Sequence, residues 1–141
     1  MPARLIAVLL SLGFVMAPSA PSRAEDAEPA IDCDKAVATA ELNACADKEL
    51  AKADAELNTV YAKVRARISK TEADPPYDAK SFEEALRKSQ RAWVAYRDAD
   101  CKDLVPMSWT GGSGTSGEVL GCLTSKTKAR TKDLAERYLL E

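Results

Sequence analysis

The stretch 39–70, TAELNACADKELAKADAELNTVYAKVRARISK, decides the fold. Leu42, Ala46, Leu50, Ala53, Leu57, Tyr61, Val64 and Ile68 recur at spacings of three and four, the period of a helix with one apolar face. Asp47, Lys48, Lys52, Asp54, Lys63 and Arg67 take the other faces, where alternating charge marks solvated surface. Thr39 reads as the N-cap, with Glu41 in the first turn, where the helix dipole favours an acid. The helix is predicted to run to about Lys70. Asp74-Pro75-Pro76 stops it, because proline cannot continue the hydrogen-bond ladder and restricts the residue before it.

Two more helices follow. One starts near Asp78 or Ser81 and carries Phe82, Leu86, Trp93 and Tyr96 on its apolar stripe, with Ala85 and Ala92 beside them. Ser89 or Gln90 falls where that stripe calls for an apolar residue. Pro106 and Gly111-Gly112-Ser113-Gly114-Thr115-Ser116-Gly117 then mark a flexible loop. The last helix shows Leu120, Leu123, Thr127, Arg130, Leu134 and Tyr138 in the same period. No stretch alternates with period two, and no internal repeat is visible. The expected fold is all-α: a small, disulfide-stapled antiparallel bundle of three main helices, antiparallel because the connections are short. Leu57, Tyr61, Val64, Leu86, Trp93, Leu123 and Leu134 form the predicted core.

The N-terminus has a different character. Arg4 precedes the apolar run Leu5–Leu10, which continues through Phe14-Val15-Met16-Ala17. A positive n-region, a short apolar h-region and small residues after it read as a signal peptide over 1–24, cleaved after Ala24. The run is shorter than the about 20 residues a membrane span needs. Residues 25–38 read as an N-terminal arm and 39–141 as the helical domain. The mature chain is expected to be soluble and periplasmic or secreted, without a membrane anchor.

Export places Cys33, Cys45, Cys101 and Cys122 in an oxidising compartment, where an even count reads as two disulfides. There is no histidine, which excludes Ser-His-Asp and Cys-His nucleophiles and histidine-based zinc sites. No Cys-x-x-Cys pair is present, so no metal and no cofactor is expected. The whole chain has 20 Lys and Arg against 22 Asp and Glu; without Arg4 and Arg23 the mature chain holds 18 against 22, a net charge of −4. A mildly acidic surface argues against nucleic acid and suits a basic partner, although it is also ordinary solubility charge.

Few residues suggest chemistry. Gly111–Gly117 lacks the Lys-Ser/Thr pair that must directly follow the last glycine of a phosphate loop. No carboxylate pair stands in an apolar setting, and no catalytic residue is expected. Arg97, next to Asp98, and Arg130, in register with Leu123, Leu134 and Tyr138, sit on or beside apolar stripes. Both read as structural ion pairs tying helices together, with Asp54, Glu56, Asp98 and Asp100 as partners, in preference to anion-binding groups. Arg130 is expected to pair with an acid on a neighbouring helix. Met107 and Trp109 lie in the glycine-rich loop, outside any periodic core pattern. They are the candidate partner-binding residues: Trp109 reads equally as a partner anchor or as a lid over the bundle.

These residues resemble a known family. Asp32-Cys33, Glu41-Leu42-Asn43-Ala44-Cys45 and Ala53-Asp54-Ala55-Glu56-Leu57-Asn58 with Tyr61 are similar to the small secreted proteins of the LprI-type lysozyme-inhibitor family. Gln90-Arg91-Ala92-Trp93 with Tyr96-Arg97-Asp98 and Cys101 resembles that family's tryptophan–tyrosine–arginine–aspartate–cysteine signature. Gly121-Cys122-Leu123, Thr127, Arg130 and Leu134 resemble its closing helix, so the likeness covers about Cys33 to Leu134. The resemblance implies an exported helical domain that inhibits lysozyme by binding. The implied partner is a c-type lysozyme or another peptidoglycan-cleaving enzyme. The family name rests on a lipoprotein, whereas this chain has no lipid-attachment cysteine. The alternative is a non-enzymatic periplasmic structural or accessory domain that binds another envelope component. Oligomeric state is not fixed by the sequence.

Four cysteines permit three pairings. Cys33 on the arm can fold back onto Cys45 in the second turn of the first helix. Cys101 ends the second predicted helix and Cys122 begins the third, so that bond closes the glycine loop, worth about 3 kcal/mol in chain entropy. A loop tethered at Pro106–Gly117 loses less entropy on entering a partner's cleft, and equally serves as a plain connector. Peptide mapping under non-reducing conditions should link Cys33 to Cys45 and Cys101 to Cys122; a link between the two halves defeats this pairing.

Overall fold

The computed structural model describes residues 31–139; the predicted signal peptide, residues 25–30 of the arm and residues 140–141 lie outside them. Helix α1 spans Thr39–Ile68, α2 Ala79–Asp98, α3 Val105–Ser108 and α4 Thr115–Tyr138. The described residues are all-helical with turns between, and a π-helical segment, Ala99–Leu104, joins α2 to α3.

The helix ends differ from the sequence reading in instructive ways. The N-cap of α1 is Ala38, and Thr39 is already helical. The capping comes from inside the helix: the Glu41 carboxylate accepts from the backbone N–H groups of Val37 and Ala38, both at 3.2 Å. At the other end α1 stops at Ile68, where the N–H groups of Lys70 and Thr71 reach back only three residues, to Arg67 and Ile68. Asp78 caps α2 by accepting from the Ser81 N–H at 2.9 Å. Donation from Ser81, side chain and backbone, holds the Asp78 carboxyl below its usual pKa.

The second helical rise does not end at Cys101. It continues through the π-helical segment, where the Val105 N–H reaches back five residues to the Asp100 carbonyl, and then through α3. Pro106 follows at the second position of α3, where its missing N–H is tolerated in a first turn. The predicted loop therefore contracts at both sides. Pro106–Ser108 are helical and Thr115–Gly117 open α4. Thr110 at φ 50° and Gly111 at φ 73° turn the chain between them; for Thr110 that left-handed backbone is a strained choice.

Successive long helices run antiparallel, which leaves α1 and α4 parallel and side by side. Their starts meet where Gly117 faces Asn43, and their ends meet where the Arg67 guanidinium donates to the Leu139 carbonyl. These two helices approach most closely. Small buried residues, Ala53 on α1 and Thr127 on α4, permit it. α2 approaches both α1 and α4 less closely. Leu57, Val64, Ile68, Leu86 and Leu134 form the buried core, with Val60, Tyr61, Phe82, Trp93, Tyr138 and Leu139 packed against it. Phe82 and Tyr138 meet edge to face at 5.9 Å.

Of the predicted core, Leu123 is buried but lies outside this cluster, on the Cys101 side. Tyr96, placed on the α2 stripe, is 57% exposed, and Leu42, placed on the α1 stripe, is 50% exposed. Leu42 lies at the end of the bundle where α4 is only beginning, whereas the Tyr96 ring lies at the surface with only the Lys126 side chain of α4 over it. Leu134→Ala should therefore cost about 2–5 kcal/mol of unfolding free energy, whereas Leu42→Ala should stay within about 0.5 kcal/mol. Urea denaturation of the two variants side by side checks the helix phase.

Candidate functional site

The polar centre of the bundle is the side chain of Arg97. It leaves α2 about three turns after Leu86 and is largely buried. Its NH1 donates to Asp54 Oδ1 on α1 at 3.1 Å and to Thr127 Oγ1 on α4 at 3.0 Å, and its Nε donates to Asp98 Oδ1 at 3.0 Å. The guanidinium carbon lies 5.1 Å from the ring centroid of Trp93, one helical turn earlier. One cation thus joins three helices. Thr127 is fully buried and its hydroxyl is satisfied only by this arrangement.

Asp98 also accepts from Lys102 at 2.9 Å. Donation from Lys102 lowers its pKa most; partial burial pushes the other way, and Arg97 adds to the lowering. Next to this, Lys126 on α4 donates to Tyr96 Oη at 2.9 Å and pairs with Asp100 at 2.9 Å. Those contacts, Tyr96 first and Asp100 second, raise the pKa of Lys126. Beyond them Cys101 and Cys122 close the disulfide, with Cα atoms 5.5 Å apart. Residues 93–101 therefore form a zipper between α2 with its π-helical extension and α4.

Arg130 is the other arginine that falls on an apolar stripe. Its Nε donates to Gln90 Oε1 at 3.1 Å, its NH2 to Ser89 Oγ at 3.1 Å, and its NH1 to Asp133 Oδ2 at 2.9 Å. The expected acid on a neighbouring helix is not there. The acid is Asp133, one turn along α4 itself, and the cross-helix partners are neutral. Ser89 and Gln90, which broke the α2 stripe, are the acceptors that Arg130 needs.

The shifted carboxylates, Asp78 and Asp98, both move down, opposite to the direction a general acid requires. Among the described residues no buried side-chain nitrogen or oxygen lacks a hydrogen-bond partner. Asp100, Cys101 and Cys122 have ligand atoms within 4.8 Å of one another, but the two sulfurs are bonded together and offer no thiolate. A groove of about 280 Å³ between α2 and α4 is lined by Trp93, Tyr96, Lys126 and Arg130. Its aromatic rings already carry Arg97 and Lys126 against them.

The Cys33–Cys45 bond, with Cα atoms 5.7 Å apart, pins the arm to α1. Both disulfides thus fall at one end of the bundle, where α1 and α4 begin. Met107 there is 74% exposed. Trp109 is 42% exposed, and its ring lies over Gly114, where an added Cβ would meet ring carbon Cζ3 at 2.6 Å. The tryptophan covers its own loop and still shows nearly half its surface. Sequence reasoning missed Leu104, 61% exposed one turn before Met107, because the π-helical segment that ends at Leu104 shifts its phase relative to the α2 stripe.

Known proteins bear on this arrangement. Residues 33–134 match the family described as lysozyme inhibitor LprI, a span that includes both disulfides and reaches Leu134 of α4. An uncharacterized protein of Rhizobium meliloti (strain 1021) is 40% identical over 131 residues, covering 89% of this chain and 91% of that one. No solved structure matches.

Arg97→Met keeps the stem but strips donors from Asp54, Asp98 and buried Thr127, and should cost about 1–3 kcal/mol by urea denaturation. Asp98 has a folded-state pKa below its unfolded one. Its contribution is full above about 3.9, the unfolded value, and is lost as pH falls through the lower folded value. Asp98→Asn should accordingly flatten the acid side of the stability–pH profile; an unchanged acid limb would show that Asp98 is not coupled to folding.

Proposed function

We propose, for a chain that belongs to the LprI lysozyme-inhibitor family, that it is an exported protein which inhibits a lysozyme by binding it. The observation that carries this reading is the family match over 33–134, which takes in both disulfides and the Arg97 centre. Supporting it, the polar groups of the interior are committed to one another, and binding needs surface, not a reactive centre. Two disulfides suit an oxidising compartment outside the cytoplasm. No helix among the described residues is long and apolar enough to cross a membrane. Lysozymes of the c type are the first partners to test, with other peptidoglycan-cleaving enzymes next.

The protein expressed with its signal peptide and purified from the exported fraction should slow the clearing of a peptidoglycan suspension by a c-type lysozyme. The inhibition should titrate to saturation and disappear after reduction and unfolding. Should it slow no lysozyme and no other peptidoglycan hydrolase at micromolar concentration (about −8 kcal/mol of binding), the inhibitor reading falls and an accessory role in the envelope takes its place.

A further inference from the structure

The bundle is a charge dipole. Residues 31–50 and 98–122 make up the end closed by both disulfides, and they hold nine Asp or Glu against three Lys, a net −6. The remaining described residues, 51–97 and 123–139, hold nine acids against fifteen bases, a net +6. The modest charge of the whole chain hides this separation. At the acidic end Asp32 is paired with Lys35, Asp98 with Arg97 and Lys102, and Asp100 with Lys126. Asp34, Asp47, Asp103 and Glu118 are exposed and make no ion pair among the described residues.

The same end gathers exposed apolar side chains. Of the eight large ones exposed among the described residues, Val37, Leu42, Leu104, Met107 and Trp109 belong to it. A core that stops short of this end leaves them outside, and two disulfides hold their backbone in place without their burial. Fixed apolar groups lose little entropy when a partner covers them, and unpaired carboxylates around them favour a positive partner. The basic far end, where Lys63, Arg67 and Lys70 line a cleft of about 620 Å³, would repel the same partner. Charge therefore selects which end approaches.

We infer that the disulfide-closed end is the docking surface for a cationic protein, with Leu104 and Met107 as its apolar contacts and Asp103 and Glu118 as its steering carboxylates. This rests on the inhibitor reading, under which that protein is the lysozyme itself. Trp109, seated on Gly114, supports the loop from which the contacts project.

Two double charge reversals test the inference, because they change net charge equally at opposite ends. Asp103→Lys with Glu118→Lys should slow association with a cationic c-type lysozyme about tenfold or more at low ionic strength. Glu72→Lys with Glu84→Lys should change it less than about twofold. A third variant, Leu104→Ser with Met107→Ser, should raise the dissociation rate about tenfold and leave association nearly unchanged. Circular dichroism melts check that each variant is folded. Equal slowing by both charge pairs, or wild-type kinetics in all three variants, overturns the assigned surface while the inhibitor reading stands. A wild-type protein that binds no lysozyme overturns the inhibitor reading and this surface with it, so the two failures are told apart.

Discussion

The guanidinium of Arg97 is the constraint on which the arrangement of helices depends. A buried cation must be matched by acceptors or the fold loses several kcal/mol. Here the acceptors come from three helices: Asp54 from α1, Asp98 from α2 itself and Thr127 from α4. Sliding α4 by one turn would strand the Thr127 hydroxyl, away from both Arg97 and Asp54. Apolar contacts alone tolerate such slips better, since one leucine can replace another in a stripe of similar residues. The polar centre sets register, and the core around Leu134 and Val64 supplies the burial.

That division explains why the two ends of the bundle look so different. Large apolar side chains fill the half that contains Ile68, Leu86 and Leu134. In the other half the buried residues are small or polar: Ala53, Cys101 and Thr127, with Leu123 as the exception. Such a half buries too little apolar area to hold itself closed, and covalent bonds take over. Once Cys33–Cys45 and Cys101–Cys122 hold the chain, Leu104 and Met107 need not turn inward for stability. Disulfides thus free apolar side chains to face outward, which is what a binding surface requires.

The residues that identify the family are, for the most part, those that build this frame. Trp93, Tyr96, Arg97, Asp98 and Cys101 all lie in the zipper between α2 and α4, through cation–π contact, hydrogen bonds, ion pairs and a disulfide. A sequence signature of this kind reports architecture.

The sequence by itself determined the three long helices, since apolar spacing of three and four has no other economical solution, and it set a limit that the first cannot pass, since Pro75 and Pro76 forbid continuation. Cysteine positions along those helices were enough to pair them locally. Tertiary structure alone decided the rest. Arg130 on one stripe and Ser89 and Gln90 on another each read as an isolated flaw; only side by side do they become donor and acceptors of one contact. Tyr96 and Leu42 fit their stripes yet stay exposed, because periodicity gives a face and not what packs over it. The π-helical segment that brings Leu104 and Met107 to the surface leaves no periodic trace. The dipole is invisible in a net charge for the same physical reason: residues 31–50 and 98–122 are far apart in the chain, and only the packing of α1 beside α4 puts their charges at one end.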